Sequence, residues 1–150
     1  MHSIDETDKR IINRIQSNFP ICLRPYHVIA QELNLDESDV IDRIQRLKKI
    51  GIIRRIGGNF SPEKLGFFST LCAAKVSSDK IDAFADVVNS YPGVTHNYVR
   101  ENSYNVWFTF IAPSRDDIES SLLEIKDRTG IETINLPATR VFKISAQFKL

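Results

Sequence analysis

His96, Tyr98 and Arg100, at alternate positions, are the grouping in this chain best suited to chemistry. On a strand alternate residues share a face, so an imidazole, a phenol and a guanidinium would project together. Such groups are costly to bury without partners. They offer a proton donor or metal ligand, a hydrogen-bonding phenol and an anchor for an anion. Trp107, on the following extended run, would add an aromatic surface. A second grouping is Arg54-Arg55, inside Gly51-Ile52-Ile53-Arg54-Arg55-Ile56-Gly57. The guanidinium fork matches carboxylate geometry, so adjacent arginines can clamp a carboxylate. The plainer reading is a solvated pair on a hairpin edge.

The elements that would carry these groups fall into two blocks. Residues 1–60 read as a winged helix-turn-helix domain. Asp5-Glu6-Thr7-Asp8 places acids in a first helical turn, where the helix dipole favours them, and Ile4, Ile11, Ile12 and Ile15 follow at helical spacing. Phe19-Pro20 ends that helix, and Pro25 opens a second with Val28, Ile29 and Leu33 on one face. Asn34-Leu35-Asp36 makes a tight turn. A third helix then spans about Glu37 to Ile50, with Gly51 as its cap. Ile52 to Ile56 with the Gly57-Gly58-Asn59 turn reads as a wing.

Residues 61–150 alternate strand and helix in the order βαββαβ, a ferredoxin-like arrangement. Strands are expected over Phe67 to Val76, Val94 to Arg100, Asn105 to Ile111, and within Ile131 to Ile144, where Pro137 would interrupt. The helices carry Ile81, Phe84, Ala85, Val87 and Val88, then Ile118, Leu122, Leu123 and Ile125, the second ended by Gly130. The fold class is therefore α+β. A sheet with helices on one face needs a ligand, a partner or a second copy on the other.

Composition narrows the function. The 150 residues carry 20 Lys and Arg against 19 Asp and Glu, a formal charge of +1. That balance disfavours a polybasic nucleic-acid or membrane binder. No apolar run reaches membrane-span length, and Met1 to Arg10 lacks a signal-peptide core. Two cysteines, Cys22 and Cys72, make neither a disulfide framework nor a zinc site, so a reducing cytoplasm is expected. Both read as small buried hydrophobes. Phe67, Phe68, Phe108 and Phe110 read as core, His27 as a surface or capping residue, and His2 as part of a mobile terminus.

The layout is that of the Lrp/AsnC-type regulators, which makes a DNA-binding sensor one reading. The third helix argues against it. Its first turn holds Asp36, Glu37, Ser38 and Asp39, with Asp42 one turn on, where a recognition helix would face bases and phosphates. Arg43, Arg46, Lys48 and Lys49 lie later and read as a solvated face.

Several segments together resemble the siroheme decarboxylase family. They are Arg24-Pro25-Tyr26, the Gly51 to Gly57 arginine segment, Lys64-Leu65-Gly66 with Ser69-Thr70-Leu71, Pro92-Gly93-Val94-Thr95-His96-Asn97-Tyr98-Val99-Arg100, and Tyr104-Asn105-Val106-Trp107-Phe108-Thr109. The resemblance spans nearly the whole chain. It implies conversion of siroheme to 12,18-didecarboxysiroheme by loss of two acetate carboxyl groups as carbon dioxide, the work of a carboxy-lyase. It implies His96 and Tyr98 as catalytic, with Arg54, Arg55, Arg100, Asn97, Tyr104 and Trp107 binding substrate and Arg140 a weaker candidate. His96 would be the general acid or an axial ligand to the siroheme iron; no other metal site is expected. The tetrapyrrole would be its own electron sink, so no added cofactor is implied. The partner would be a homologous subunit or a second copy. Some family members have a histidine where this chain has Asn102, which leaves room for a partner that completes the acid-base set. A non-catalytic partner subunit is the remaining alternative.

Overall fold

Asp5 caps the first helix from both sides. Its carboxylate accepts from the Asp8 amide at 2.7 Å, and its own amide donates to the Asp8 carboxylate at 3.0 Å. The computed structural model describes residues 4–58, 60–143, 148 and 150. They form two compact units, one of 1–58 with 143–150 and one of 59–142. No helix among the described residues is long and apolar enough to cross a membrane.

The first unit holds α1 (Glu6–Ser17), α2 (Pro25–Leu33) and α3 (Glu37–Lys49). Pro25 stands in the first turn of α2, where its missing amide costs nothing. Asn34 ends that helix with φ 56°, and Gly51 follows α3 with φ 78°. Ile11, Ile29, Ala30, Val40 and Ile44 make the buried centre.

The expected wing is not formed: residues 51–58 contain no strand. Instead the amides of Ile52 and Ile53 donate to the Leu47 carbonyl at 3.0 and 3.1 Å. Ile53 and Ile56 pack onto the three-helix core. Their apolar side chains are satisfied there, and a lone strand has no ladder to join. Asn59 of the expected turn lies outside the described residues. The C-terminal end differs as well. Of the described residues there, Lys143, Phe148 and Leu150 group with the first unit. Gln16 exchanges two hydrogen bonds with the Phe148 backbone, at 2.6 and 2.9 Å.

The second unit follows the βαββαβ order with β1 (Phe68–Ala74), α4 (Ile81–Asn89), β2 (Val94–Val99), β3 (Val106–Ala112), α5 (Arg115–Thr129) and β4 (Thr133–Leu136). The sheet is antiparallel in the order β2-β3-β1-β4. β4 stops at Leu136, before Pro137, because proline has no amide for the ladder. Ile144, the expected end of that strand, lies outside the described residues, as does His2. Alternation on β3 is complete: Val106, Phe108, Phe110 and Ala112 are buried, and Trp107, Thr109 and Ile111 are half-buried. The buried set packs with Phe84 and Val88 of α4 and Ile118, Leu122 and Ile125 of α5. Both helices thus cover one face.

Several residues read as interior are not. Cys22 is exposed, in a loop between exposed Ile21 and Leu23. Phe67 and Phe68 are each 41% exposed, because β1 enters the sheet only at Phe68 and packs fully from Thr70 onward. Phe108, Phe110 and Cys72 are core as expected. Burial, aided by the Glu119 charge, pushes the Cys72 thiol up to about 12, so it is inert near neutrality.

Candidate functional site

The helix-free face of the second unit's sheet carries the reactive grouping, and a bulge puts it there. Val94 pairs with Phe110 and packs into the helix-side core. His96 pairs with Thr109, so Thr95 is an extra residue in β2. Unbroken alternation from Val94 would turn His96 toward the helices. The bulge instead places His96 opposite Thr109 and Tyr98 opposite Trp107, on the open face. It also lets the Thr95 hydroxyl meet its neighbour: Thr95 Oγ1 and His96 Nδ1 share a hydrogen bond at 3.1 Å. A bulge of this kind has no signature in residue type, and sequence reasoning missed the Thr95 contact.

Gly93 holds the entry to the bulge. Its carbonyl accepts from the Ile111 amide at 2.8 Å. A Cβ at this position would run into the Ile111 carbonyl oxygen and the Phe110 ring. Gly93→Ala is therefore expected to destabilise the second unit by ~2 kcal/mol, read as a lowered Tm. A Tm equal to wild type would mean the strand re-registers without cost.

Beyond His96 the open face becomes cationic and aromatic. The Arg100 guanidinium lies 5.1 Å from the Tyr98 ring centroid and 5.8 Å from that of Trp107. Trp107 Nε1 donates to the Tyr104 carbonyl at 2.7 Å, which ties the hairpin down onto β3. Asn102, where a histidine was the family alternative, works as a turn residue. Its Oδ1 accepts from the Tyr104 amide at 3.1 Å and from the Ser103 hydroxyl at 3.2 Å. Tyr98, Arg100, Tyr104 and Trp107 are thus one cluster, with His96 one cross-strand pair further along the face.

The other proposed site residues stand elsewhere. Asn97 pairs with Phe108 on the helix side, and its amide donates to Asn89 of α4 at 3.0 Å. It therefore stands on the opposite face from His96 and Tyr98, as alternation along the strand places it. Arg54 and Arg55 belong to the first unit, both exposed, and neither forms an ion pair among the described residues. Arg140 sits on the Phe142 ring at 4.7 Å. His27 Nδ1 lies 3.5 Å from the Glu37 carboxylate, a surface contact beside the Arg24–Glu37 pair.

In the first unit the helix that would read DNA has both its arginines engaged. Arg43 bonds Asp5 at 2.7 Å, Asp8 at 3.0 Å and Asp39 at 2.9 Å, and Arg46 bonds Asp8. No group of three or more metal-ligating side chains occurs among the described residues.

Comparison with known proteins agrees at both units. The model of the siroheme decarboxylase NirDL-like helix-turn-helix domain matches residues 8–54. That of the AsnC-like ligand binding domain matches residues 64–143. The chain is 52% identical over 147 residues to the siroheme decarboxylase alpha subunit of Desulfovibrio desulfuricans, which covers 98% of this chain and 85% of that one. It is 37% identical over 150 residues to the NirD subunit of Stutzerimonas stutzeri, covering 100% of this chain and 97% of that one. The crystal structure of the siroheme decarboxylase NirDL superposes with a TM-score of 0.66 at 31% identity over 97% of this chain. This chain spans 48% of NirDL, about half its length. The leucine response regulatory protein LrpA of Mycobacterium tuberculosis superposes with a TM-score of 0.83 at 17% identity, over 98% of this chain and 100% of that one, a likeness of fold alone.

Proposed function

We propose that this chain, which belongs to the siroheme decarboxylase family, is a subunit of a carboxy-lyase that removes acetate carboxyl groups from siroheme as carbon dioxide. The observation that carries this reading is the open sheet face. It presents an imidazole, a phenol and a guanidinium beside Trp107, with both helices of the unit on the other side.

The chemistry needs little else. Breaking the bond between a ring acetate's methylene and its carboxylate leaves an electron pair on the methylene carbon. The conjugated tetrapyrrole can delocalise that pair. The carbon then takes one proton and becomes a methyl group, so the step is redox-neutral and uses no further cofactor. His96 is the proton source in this reading. The Thr95 hydroxyl occupies Nδ1, which leaves Nε2 to meet the substrate. Tyr98 is placed to hydrogen-bond the reacting carboxylate, and Arg100 to anchor a neighbouring one. Arg54 and Arg55 supply two further cations suited to carboxylates. An axial bond from His96 to the substrate's iron is the other role open to it.

The subunit would work with a homologous chain or a second copy, in keeping with relatives named as subunits. A regulator would need cations for phosphate, and the paired Arg43 and Arg46 speak against that.

The test is anaerobic incubation with siroheme, alone and with the homologous second subunit, followed by mass spectrometry of the tetrapyrrole. Loss of one or two carbon dioxides is expected. Unchanged siroheme, recovered free of protein in both incubations, would overturn the reading.

A further inference from the structure

We infer that Lys75 is a second carboxylate anchor on the open face, and that Lys75 and Arg100 together hold two carboxylates of the substrate; the inference rests on the siroheme reading above. Lys75 directly follows β1, whose Ser69, Leu71 and Ala73 pair with Ile111, Thr109 and Trp107 on the open face. Its ammonium lies 4.7 Å from the centroid of the Tyr104 ring. Tyr104 is the residue whose carbonyl Trp107 holds, and Trp107 is one of the two rings beneath Arg100. One end of the sheet therefore carries two cations on a linked set of aromatic rings.

The backbone at Lys75 is fixed on both sides. The Asn105 amide donates to the Ala74 carbonyl at 3.0 Å. The Asn105 side chain accepts from the Val76 amide at 2.8 Å and donates to the Val76 carbonyl at 2.7 Å. A lysine on a mobile loop would lose much freedom on binding an anion. Here the chain is already ordered.

Charge gives the second argument. Lys9, Arg14, Arg24, Arg43, Arg46 and Lys126 each face a carboxylate. Among the described residues Lys75 and Arg100 have no such partner and lie against ring faces, as Arg115, Arg128 and Arg140 do singly elsewhere, but these two share one linked set of rings. A ring face attracts a cation without neutralising it. An anion arriving at this end meets two positive charges that no protein carboxylate cancels. The ligand that fits is a flat, apolar body with several carboxylates on its rim.

The test is an absorbance titration of siroheme into the full-length protein. Lys75→Met keeps the stem and removes the charge. It should weaken binding about tenfold, the loss of one charge-assisted hydrogen bond, and flatten the salt dependence. Lys75→Arg should stay within about twofold of wild type, and both variants should keep the wild-type Tm. Wild-type affinity and salt dependence in Lys75→Met would overturn this inference alone. Failure of the unaltered protein to bind siroheme would overturn the siroheme reading and this inference with it.

Discussion

His96→Ala is expected to leave siroheme bound and to lower carbon dioxide release by roughly a thousandfold, the range for removing a positioned general acid. The measurement is the mass of the tetrapyrrole after a fixed anaerobic incubation, beside an absorbance titration for binding. The expectation follows from placement. His96 is on the open face because Thr95 bulges out of β2, and its Nδ1 is engaged by the Thr95 hydroxyl. Methyl formation needs one proton at one carbon. The Tyr98 and Tyr104 phenols are the other acidic hydrogens on that face, and of these Tyr98 is the nearer along β2, one cross-strand pair from His96. The spectrum of the bound substrate separates the two roles. If His96 is the acid, the variant's bound siroheme absorbs as in wild type. If His96 ligates the iron, the bands shift on substitution. Turnover at the wild-type rate would remove His96 from the mechanism.

Most of this fold was legible because period and punctuation agreed. The β-branched and aromatic run from Asn105 to Ile111, closed by Pro113, could be read as a strand, but its alternation of burial appears only in the fold. Pro25, Gly51, Gly130 and Pro137 stand at element ends, where their backbone preferences require them. What sequence could not carry was decided between elements. Ile52 to Ile56 has β-type residues, but two of its isoleucines are bound by the helical core, and no wing forms. The spacing of His96, Tyr98 and Arg100 was visible, yet which face they occupy depends on one bulged residue. The same bulge sets Asn97 on the helix side, where it bonds Asn89 of α4. Lys75, a single lysine between Ala74 and Val76, has no local signal. Only the folded hairpin brings it over Tyr104. Arg43 and Arg46 read as part of a solvated face, but Asp5, Asp8 and Asp39 hold Arg43, and Asp8 holds Arg46, which only the packing of α1 on α3 brings about.

That network should set the acid limit of the first unit, and Asp8→Ala should be its most damaging substitution. Asp8 is fully buried and does three things at once. It accepts from the Asp5 amide in the cap of α1, and it binds both Arg43 and Arg46 of α3. Removing it leaves two guanidiniums short of a partner and the cap half open. We expect a loss of about 3 kcal/mol, at the low end for breaking a buried pair because both arginines reach solvent. Chemical denaturation should show it as a lower midpoint. Burial pushes the Asp8 carboxyl up, but hydrogen bonds from Arg46, the Asp5 amide and Arg43 outweigh it and hold it below the ordinary 3.8. The Arg43 guanidinium and the Asp8 amide hold Asp5 below its ordinary value too. Both groups are thus easier to ionise folded than unfolded. Their stabilisation is complete above about pH 4 and fades as the pH falls below the unfolded value, through the folded ones. Wild-type protein should lose stability in that acid window. Asp8→Asn, which keeps the shape and loses the charge, should start less stable and fall less steeply there. Equal acid slopes for the two would mean that the Asp8 charge contributes nothing to the stability of this unit.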